Sequence, residues 1–181
     1  PRPNMRISRI AYDFFVFLSA CDLSVQAEII RPGSRIELSK ATLSANGRTF
    51  MQASAWRIIT TGAVPEVIPS KPLPILPGPQ ELRSFGNAEF FRYGESLEWR
   101  FAQGSFDQLG PATVWARPRI SLVDGLPISP LCQILLMVDS ANGISAELPP
   151  EQFLFVTVEL TVSTFCHPVT QWVGMSALTT L

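Results

Sequence analysis

Apolar and polar positions alternate in short runs over most of this chain, and only one run has the period of a helix. Residues 6–18 and 22–30 are rich in β-branched and aromatic side chains and are predicted as strands. RPGSR at 31–35 is a turn. A third strand runs from Ile36 to about Leu43, Ala45-Asn46-Gly47-Arg48 makes a hairpin turn of the Asn-Gly kind, and Thr49 to Ile59 returns. This first part is a strand meander. Farther along, 94–103 and 112–120 read as two more strands, and Trp115, Arg117 and Arg119 share one face of the second. Residues 152–165 and 171–180 are again strand-like. In the former, Leu154, Val156, Val158, Leu160 and Val162 alternate with Phe153, Phe155, Thr157, Glu159 and Thr161. One face is aliphatic, and the other has the composition of a pocket wall, although an ordinary half-exposed strand has the same alternation.

The helical run is 129–143, SPLCQILLMVDSANG, and the other elements are expected to be arranged around it. Ser129 is a good N-cap, Pro130 suits the first helical position, and Asn142-Gly143 supplies the left-handed residue that commonly closes a helix. Leu131, Cys132, Ile134, Leu135, Leu136, Met137 and Val138 occupy nearly every side of the helical wheel, so the helix is expected to be enclosed by protein. One charge interrupts it. Asp139 sits near the C-terminal end, where the helix dipole disfavours a carboxylate, so an aspartate here needs a specific reason.

Between the two strand-rich parts, residues 65–79 carry six prolines and cannot donate a regular ladder of hydrogen bonds. The expected organisation is therefore a first unit at 1–61, an extended linker at 62–88 and a second unit at 89–181.

Composition narrows the function classes. The chain has 181 residues, of which 46% are hydrophobic and 16% charged. Its mean hydropathy of +0.22 suggests apolar surface shared with a partner or with missing segments and is compatible with a homo-oligomer. No stretch approaches the roughly 18 apolar residues of a membrane span. A net charge of −1 with scattered basic residues lacks the footprint of a nucleic-acid binder. The three cysteines, Cys21, Cys132 and Cys166, form no CxxC spacing and favour a reducing, cytoplasmic compartment, and a single histidine argues against zinc.

GPATVWARPR (110–119), SPLCQILLMVDSANG (129–143) and FVTVELTV (155–162), in that order and separation, resemble the thioesterase-like proteins related to bacterial acyl-CoA thioesterase II. The strands, turn and ANGR hairpin at 22–58 resemble the later strands of that family's first unit. The resemblance implies an α+β double hot-dog fold in which each antiparallel sheet wraps a central helix. Terminal segments would then be missing: the first unit's helix, expected before Arg6, and the last strands of the second. It also implies an acyl-CoA thioesterase of lipid metabolism, hydrolysing a fatty acyl or related thioester, with acyl-CoA as substrate and no metal or redox cofactor.

In that family an aspartate late in the second helix, a hydroxyl residue in the following strand and a glutamine in a later strand orient the attacking water. The aspartate falls on Asp139. The hydroxyl falls on Thr157, with Glu159 in place of the usual aspartate two residues on, and the glutamine is expected beyond Leu181. Phe165-Cys166-His167-Pro168 stands where the family often has His-Arg-Pro. Trp115, Arg117 and Phe155 are the candidate substrate-binding residues, with a structural Trp–Arg pair on a strand as the competing reading. Cys166 and His167 are adjacent, so on a strand they point to opposite faces and make a poor nucleophile–base pair. Two rival functions are a non-catalytic acyl-binding or assembly protein of the same fold and a hydratase using an Asp/His pair. The second is weakened because His167 lies outside the helix.

Overall fold

The structure, a computed structural model, describes residues 4–17, 21–60, 92–166 and 171–180. The proline-rich stretch 62–88 and His167 lie outside the described residues. In chain order the elements are β1 (Met5–Phe14), β2 (Ser24–Arg31), β3 (Ile36–Ala45), β4 (Arg48–Ile59), α1 (Arg92–Glu95), β5 (Leu97–Gln103) and β6 (Ala112–Pro118). They continue with α2 (Pro130–Val138), α3 (Ala141–Ile144), β7 (Glu159–Ser163) and β8 (Val173–Ala177). The chain divides into two compact units, Pro1–Ser70 with Val156–His167, and Lys71–Phe155 with Pro168–Leu181.

The first unit is an antiparallel sheet of order β2-β3-β4-β1-β7. The meander forms because Asn46 (φ 50°) and Gly47 (φ 73°) both take left-handed backbone, the conformation that a two-residue hairpin needs to match the twist of its strands. The turn pairs Ala45 with Arg48 and Ser44 with Thr49, a bulge then shifts the register by one residue so that Leu43 pairs with Met51, and β1 lies on the far side of β4. β2 is an edge strand, exposed along its length.

β7 comes from the C-terminal half but ladders onto β1, from Arg9↔Ser163 to Asp13↔Glu159. At one end of this ladder the Arg6 guanidinium donates to the Thr164 carbonyl at 2.8 Å, and the Thr164 hydroxyl donates to the Ile7 carbonyl. At the other end the Phe14 N–H donates to the Val158 carbonyl at 2.9 Å. Residues 156–166 thus group with the N-terminal segment, whereas the sequence pattern placed them with 89–181.

The strand expected over 152–165 is correspondingly short. Residues 153–158 are irregular, and of the predicted aliphatic face Leu154 is 85% and Val158 70% exposed, while Val162 is buried. The reason is the partner: β1 ends at Phe14, so among the described residues no strand on that side offers a ladder to residues before 158. Upstream, the amides of Gln152 and Phe153 both donate to the Pro149 carbonyl, which turns the chain there instead of extending it.

The second unit carries the main core. Its sheet has the order β5-β6-β8. Leu97, Trp99 and Phe101 alternate inward from β5, Ala112, Val114 and Ala116 from β6, and Met137, Ile144 and Ala177 close the cluster from α2, α3 and β8. Trp99 and Phe101 each meet Phe106 edge to face with ring centroids 5.0 Å apart, a favourable aromatic geometry.

α2 begins as its sequence dictates: Pro130 is its first residue, and the Ser129 hydroxyl accepts from the Cys132 N–H at 3.2 Å. Its end differs from expectation. The helix stops at Val138 with Asp139 as C-cap, and Asn142 and Gly143 lie within α3, where Gly143 is not left-handed. The Ser140 N–H turns back to Met137 at 2.9 Å, and the Ile144 N–H reaches the Ser140 carbonyl at 3.0 Å, so the chain restarts as a second short helix. α2 is also less enclosed than its composition predicts. Met137 is buried, whereas Leu131, Cys132, Ile134, Leu135, Leu136 and Val138 are half-buried, and in this unit α2 packs mainly against β6 and β8.

Candidate active site

Asp139 is placed by the end of α2. With φ −63° and ψ −25° it continues the helical path as the C-cap, and its side chain is exposed, not buried as an all-apolar wheel would have it. The residues on either side of it are tied down. The Tyr93 hydroxyl, from α1, lies 2.6 Å from the Leu136 carbonyl and 2.6 Å from the Ser140 hydroxyl. Thr157 is half-buried and belongs to the first unit, while Asp139 belongs to the second. Phe155 is exposed at 38%, in the irregular stretch that precedes β7.

Arg117 is held by the register of β5 against β6. The pairing Glu98↔Arg117 puts a carboxylate across from a guanidinium, and Arg100 lies two residues farther on the same face of β5. Arg117 Nε donates to Glu98 Oε2 at 2.7 Å, and Arg100 donates from its Nη2 to Oε1 at 2.8 Å. One carboxylate is thus bracketed by two guanidiniums. Their hydrogen bonds, Arg100 first and then Arg117, hold the Glu98 carboxyl below the usual carboxylate range. Both guanidiniums also lie over the Trp172 ring, Arg117 at 4.6 Å and Arg100 at 5.1 Å from its centroid. Trp115, opposite Arg100 in the ladder, is half-buried.

Beside this cluster opens a cleft of about 540 Å³, with Glu98, Arg117, Arg119, Gln133 and Gln171 among its lining and Ile120 and Ile128 supplying apolar wall. Arg119 is exposed, and no ion pair engages it among the described residues. The Gln133 side-chain oxygen is buried without a hydrogen-bond partner among the described residues. Two guanidiniums, one carboxylate and an open amide acceptor suit an anionic ligand that also carries N–H donors.

Of the residues proposed from the sequence, the structure puts Arg117 at this cleft and Asp139 at the end of α2 in the same unit. Glu98, Trp172, Gln133 and Tyr93 were not singled out. Glu98 and Arg100 had a detectable signal, opposite charges two apart on a strand. Tyr93 had none. Among the described residues no group of three or more histidine, cysteine, aspartate or glutamate side chains could hold a metal ion, and no helix is long and apolar enough to cross a membrane. Cys21, Cys132 and Cys166 are free thiols.

Residues 70–181 match the family described as acyl-CoA thioesterase C-terminal domain. Among solved structures, a conserved protein of unknown function with hot-dog fold from Alicyclobacillus acidocaldarius is similar with a TM-score of 0.69 and 17% identity, over 93% of this chain and 62% of that one. An acyl-CoA thioesterase II from Mycobacterium marinum is similar with a TM-score of 0.62 and 15% identity, over 97% of this chain and 69% of the other. The tesB protein of Mycobacterium avium subs paratuberculosis gives a TM-score of 0.61 and 13% identity, over 97% and 66% of the two chains. At these identities the likeness shows the fold, which is hot-dog. The chain spans 62% to 69% of the length of these structures. No curated protein matches the sequence.

Proposed function

Because the chain belongs to the acyl-CoA thioesterase C-terminal domain family, we propose that the protein hydrolyses a fatty acyl-CoA or a related thioester. The observation that carries this reading is the family match over 70–181, which includes α2 and the Asp139 carboxylate at its end. An exposed carboxylate on an anchored helix end can take a proton from water, and a threonine hydroxyl can hold that water in line with a carbonyl carbon.

In the proposed reaction Asp139 accepts a proton from water while Thr157 orients it. The water oxygen bonds to the thioester carbon, and the resulting tetrahedral species collapses with cleavage of the C–S bond. The proton held by Asp139 passes to the departing thiolate, and the products are a free acid and a thiol. No covalent enzyme intermediate and no metal or redox cofactor enter the scheme, since coenzyme A is part of the substrate. Arg117 and Arg119 at the cleft suit its phosphates. Such an activity belongs to lipid metabolism, and free thiols fit a cytoplasmic setting.

The test is turnover of a medium-chain acyl-CoA by the intact protein, followed by thiol release. Asp139→Asn keeps the shape but not the basicity and should lower kcat about a hundredfold, with Thr157→Ala lowering it in the same direction. Acyl-CoA binding should survive both changes. Unchanged turnover in Asp139→Asn would remove Asp139 as the base. Tight acyl-CoA binding by a wild-type protein without turnover would establish the acyl-binding reading instead.

A further inference from the structure

Tyr93 plays no part in the proposed reaction, yet it binds the chain on both sides of Asp139. Its hydroxyl contacts the Leu136 carbonyl and the Ser140 hydroxyl at 2.6 Å each. A carbonyl can only accept, so the phenolic proton points at Leu136, and Ser140 must donate its own proton to the phenolic oxygen. In an uninterrupted helix the Leu136 carbonyl would receive the N–H of residue 140, but that N–H is spent on Met137 at 2.9 Å. The phenol replaces the missing helical donor, satisfying a last-turn carbonyl that would otherwise be orphaned.

Tyr93 is itself fixed. Its ring meets Trp99 edge to face at 6.4 Å, and Trp99 is 2% exposed, with its indole N–H donating to the Gly94 carbonyl at 2.9 Å. The Ser96 hydroxyl donates to the Tyr93 carbonyl at 2.6 Å, closing the turn that carries the tyrosine. Burial pushes the phenol above its ordinary pKa; the Ser140 bond opposes this, and the nearby Asp139 charge adds to the rise. The phenol therefore remains a neutral donor at physiological pH, and the Asp139 carboxylate is near enough for its field to be felt there.

We propose that Tyr93, acting with Ser140, is a positioning residue for Asp139, pinning the last turn of α2 so that the backbone bearing the carboxylate is held in one place. The inference rests on the reading of Asp139 as the general base. Without the phenol, the Leu136 carbonyl must find another donor and the turn bearing Asp139 loosens. Misplacement of a catalytic group by an ångström or so costs rate, not binding.

Tyr93→Phe keeps the ring against Trp99 and removes both hydrogen bonds. It should lower kcat about ten- to a hundredfold with KM little changed. Ser140→Ala should lower kcat in the same direction, and Ser140→Thr, which keeps the hydroxyl, should restore most of it. In an Asp139→Asn background Tyr93→Phe should have almost no further effect, because there is no base left to position. Unchanged kcat in Tyr93→Phe, alongside a large loss in Asp139→Asn, would overturn the positioning role and leave the base intact. Losses that multiply in the double variant would also overturn it, by giving Tyr93 an effect independent of Asp139. Full turnover in Asp139→Asn would remove the base and this role together. Should Tyr93→Phe unfold, the Ser140 pair decides alone, since neither substitution disturbs the aromatic packing: equal loss in Ser140→Ala and Ser140→Thr overturns the proposal.

Discussion

The Arg57 guanidinium lies 2.6 Å from the Glu37 carboxylate, across a register pair of β3 and β4, with their side chains 15% and 3% exposed. Either charge alone would be costly in this place. Removing one partner from a shielded pair leaves the other desolvated and uncompensated, whereas replacing both with apolar groups avoids the penalty. Glu37→Ala should therefore destabilise the protein by about 3 kcal/mol, and a Glu37→Leu/Arg57→Met double variant should recover most of the loss. Urea unfolding of the three proteins checks this; equal loss in single and double variants would mean that the pair contributes net stability.

Glu98 links stability to pH in a definite direction. Its carboxyl is held below the ordinary value near 4.5, first by the Arg100 hydrogen bonds and then by Arg117. The folded protein therefore binds this proton less readily than the unfolded chain. The stabilisation is present above the unfolded pKa and disappears as pH falls through the folded one. Melting temperature should drop as pH falls below the ordinary carboxylate range, and Glu98→Gln should flatten that drop while lowering stability at neutral pH. An acid limb of unchanged steepness in Glu98→Gln would assign the transition to other carboxylates.

What could be read from the sequence is what local chemistry decides. The hairpin at Asn46-Gly47 and the start of α2 at Ser129-Pro130 depend on residues within a turn of each other, and both stand where expected. The end of α2 does not, because the donor to Leu136 is Tyr93, 43 residues away in the chain, and no local pattern announces it. Likewise the alternation at 153–158 looks like a strand, but a strand needs a neighbour and β1 ends at Phe14. In the site, Asp139 stood out as a lone charge in an apolar run. Arg117 was visible on a strand face, while Glu98 and Trp172, which fix it, come from two other strand regions brought beside it by pairing.

The two glycines of the first unit's turns should respond differently to substitution. A Cβ on Gly33 would fall onto the Ile36 carbonyl oxygen, well inside van der Waals contact, whereas a Cβ on Gly47 would meet nothing within 4 Å and suffer only its φ of 73°. Gly47→Ala should cost about 1 kcal/mol, the ordinary left-handed penalty. Gly33→Ala should cost more, about 2 kcal/mol, because backbone must move. Thermal unfolding of both variants ranks them, and the reverse order would show that the RPGSR turn yields easily.

The cleft gives a prediction that separates binding from chemistry. Arg117 is committed to Glu98 and Trp172, whereas Arg119 is exposed at the same cleft with no ion pair among the described residues, so Arg119 is the guanidinium freer to meet a ligand phosphate. A hydrogen bond to a charged group contributes about 1.5 kcal/mol or more, which is about a tenfold change in affinity. Arg119→Ala should raise KM for an acyl-CoA about tenfold and leave kcat within about twofold, since nothing at the reacting carbon changes. Raising the salt concentration should weaken the wild type toward the variant, because screening acts on exposed charges. An acyl thioester of N-acetylcysteamine, which lacks the nucleotide phosphates, serves as the control: both proteins should hydrolyse it with the same KM. Loss of kcat on both substrates would place Arg119 near the chemistry, and an unchanged KM for acyl-CoA would mean that the phosphates bind elsewhere.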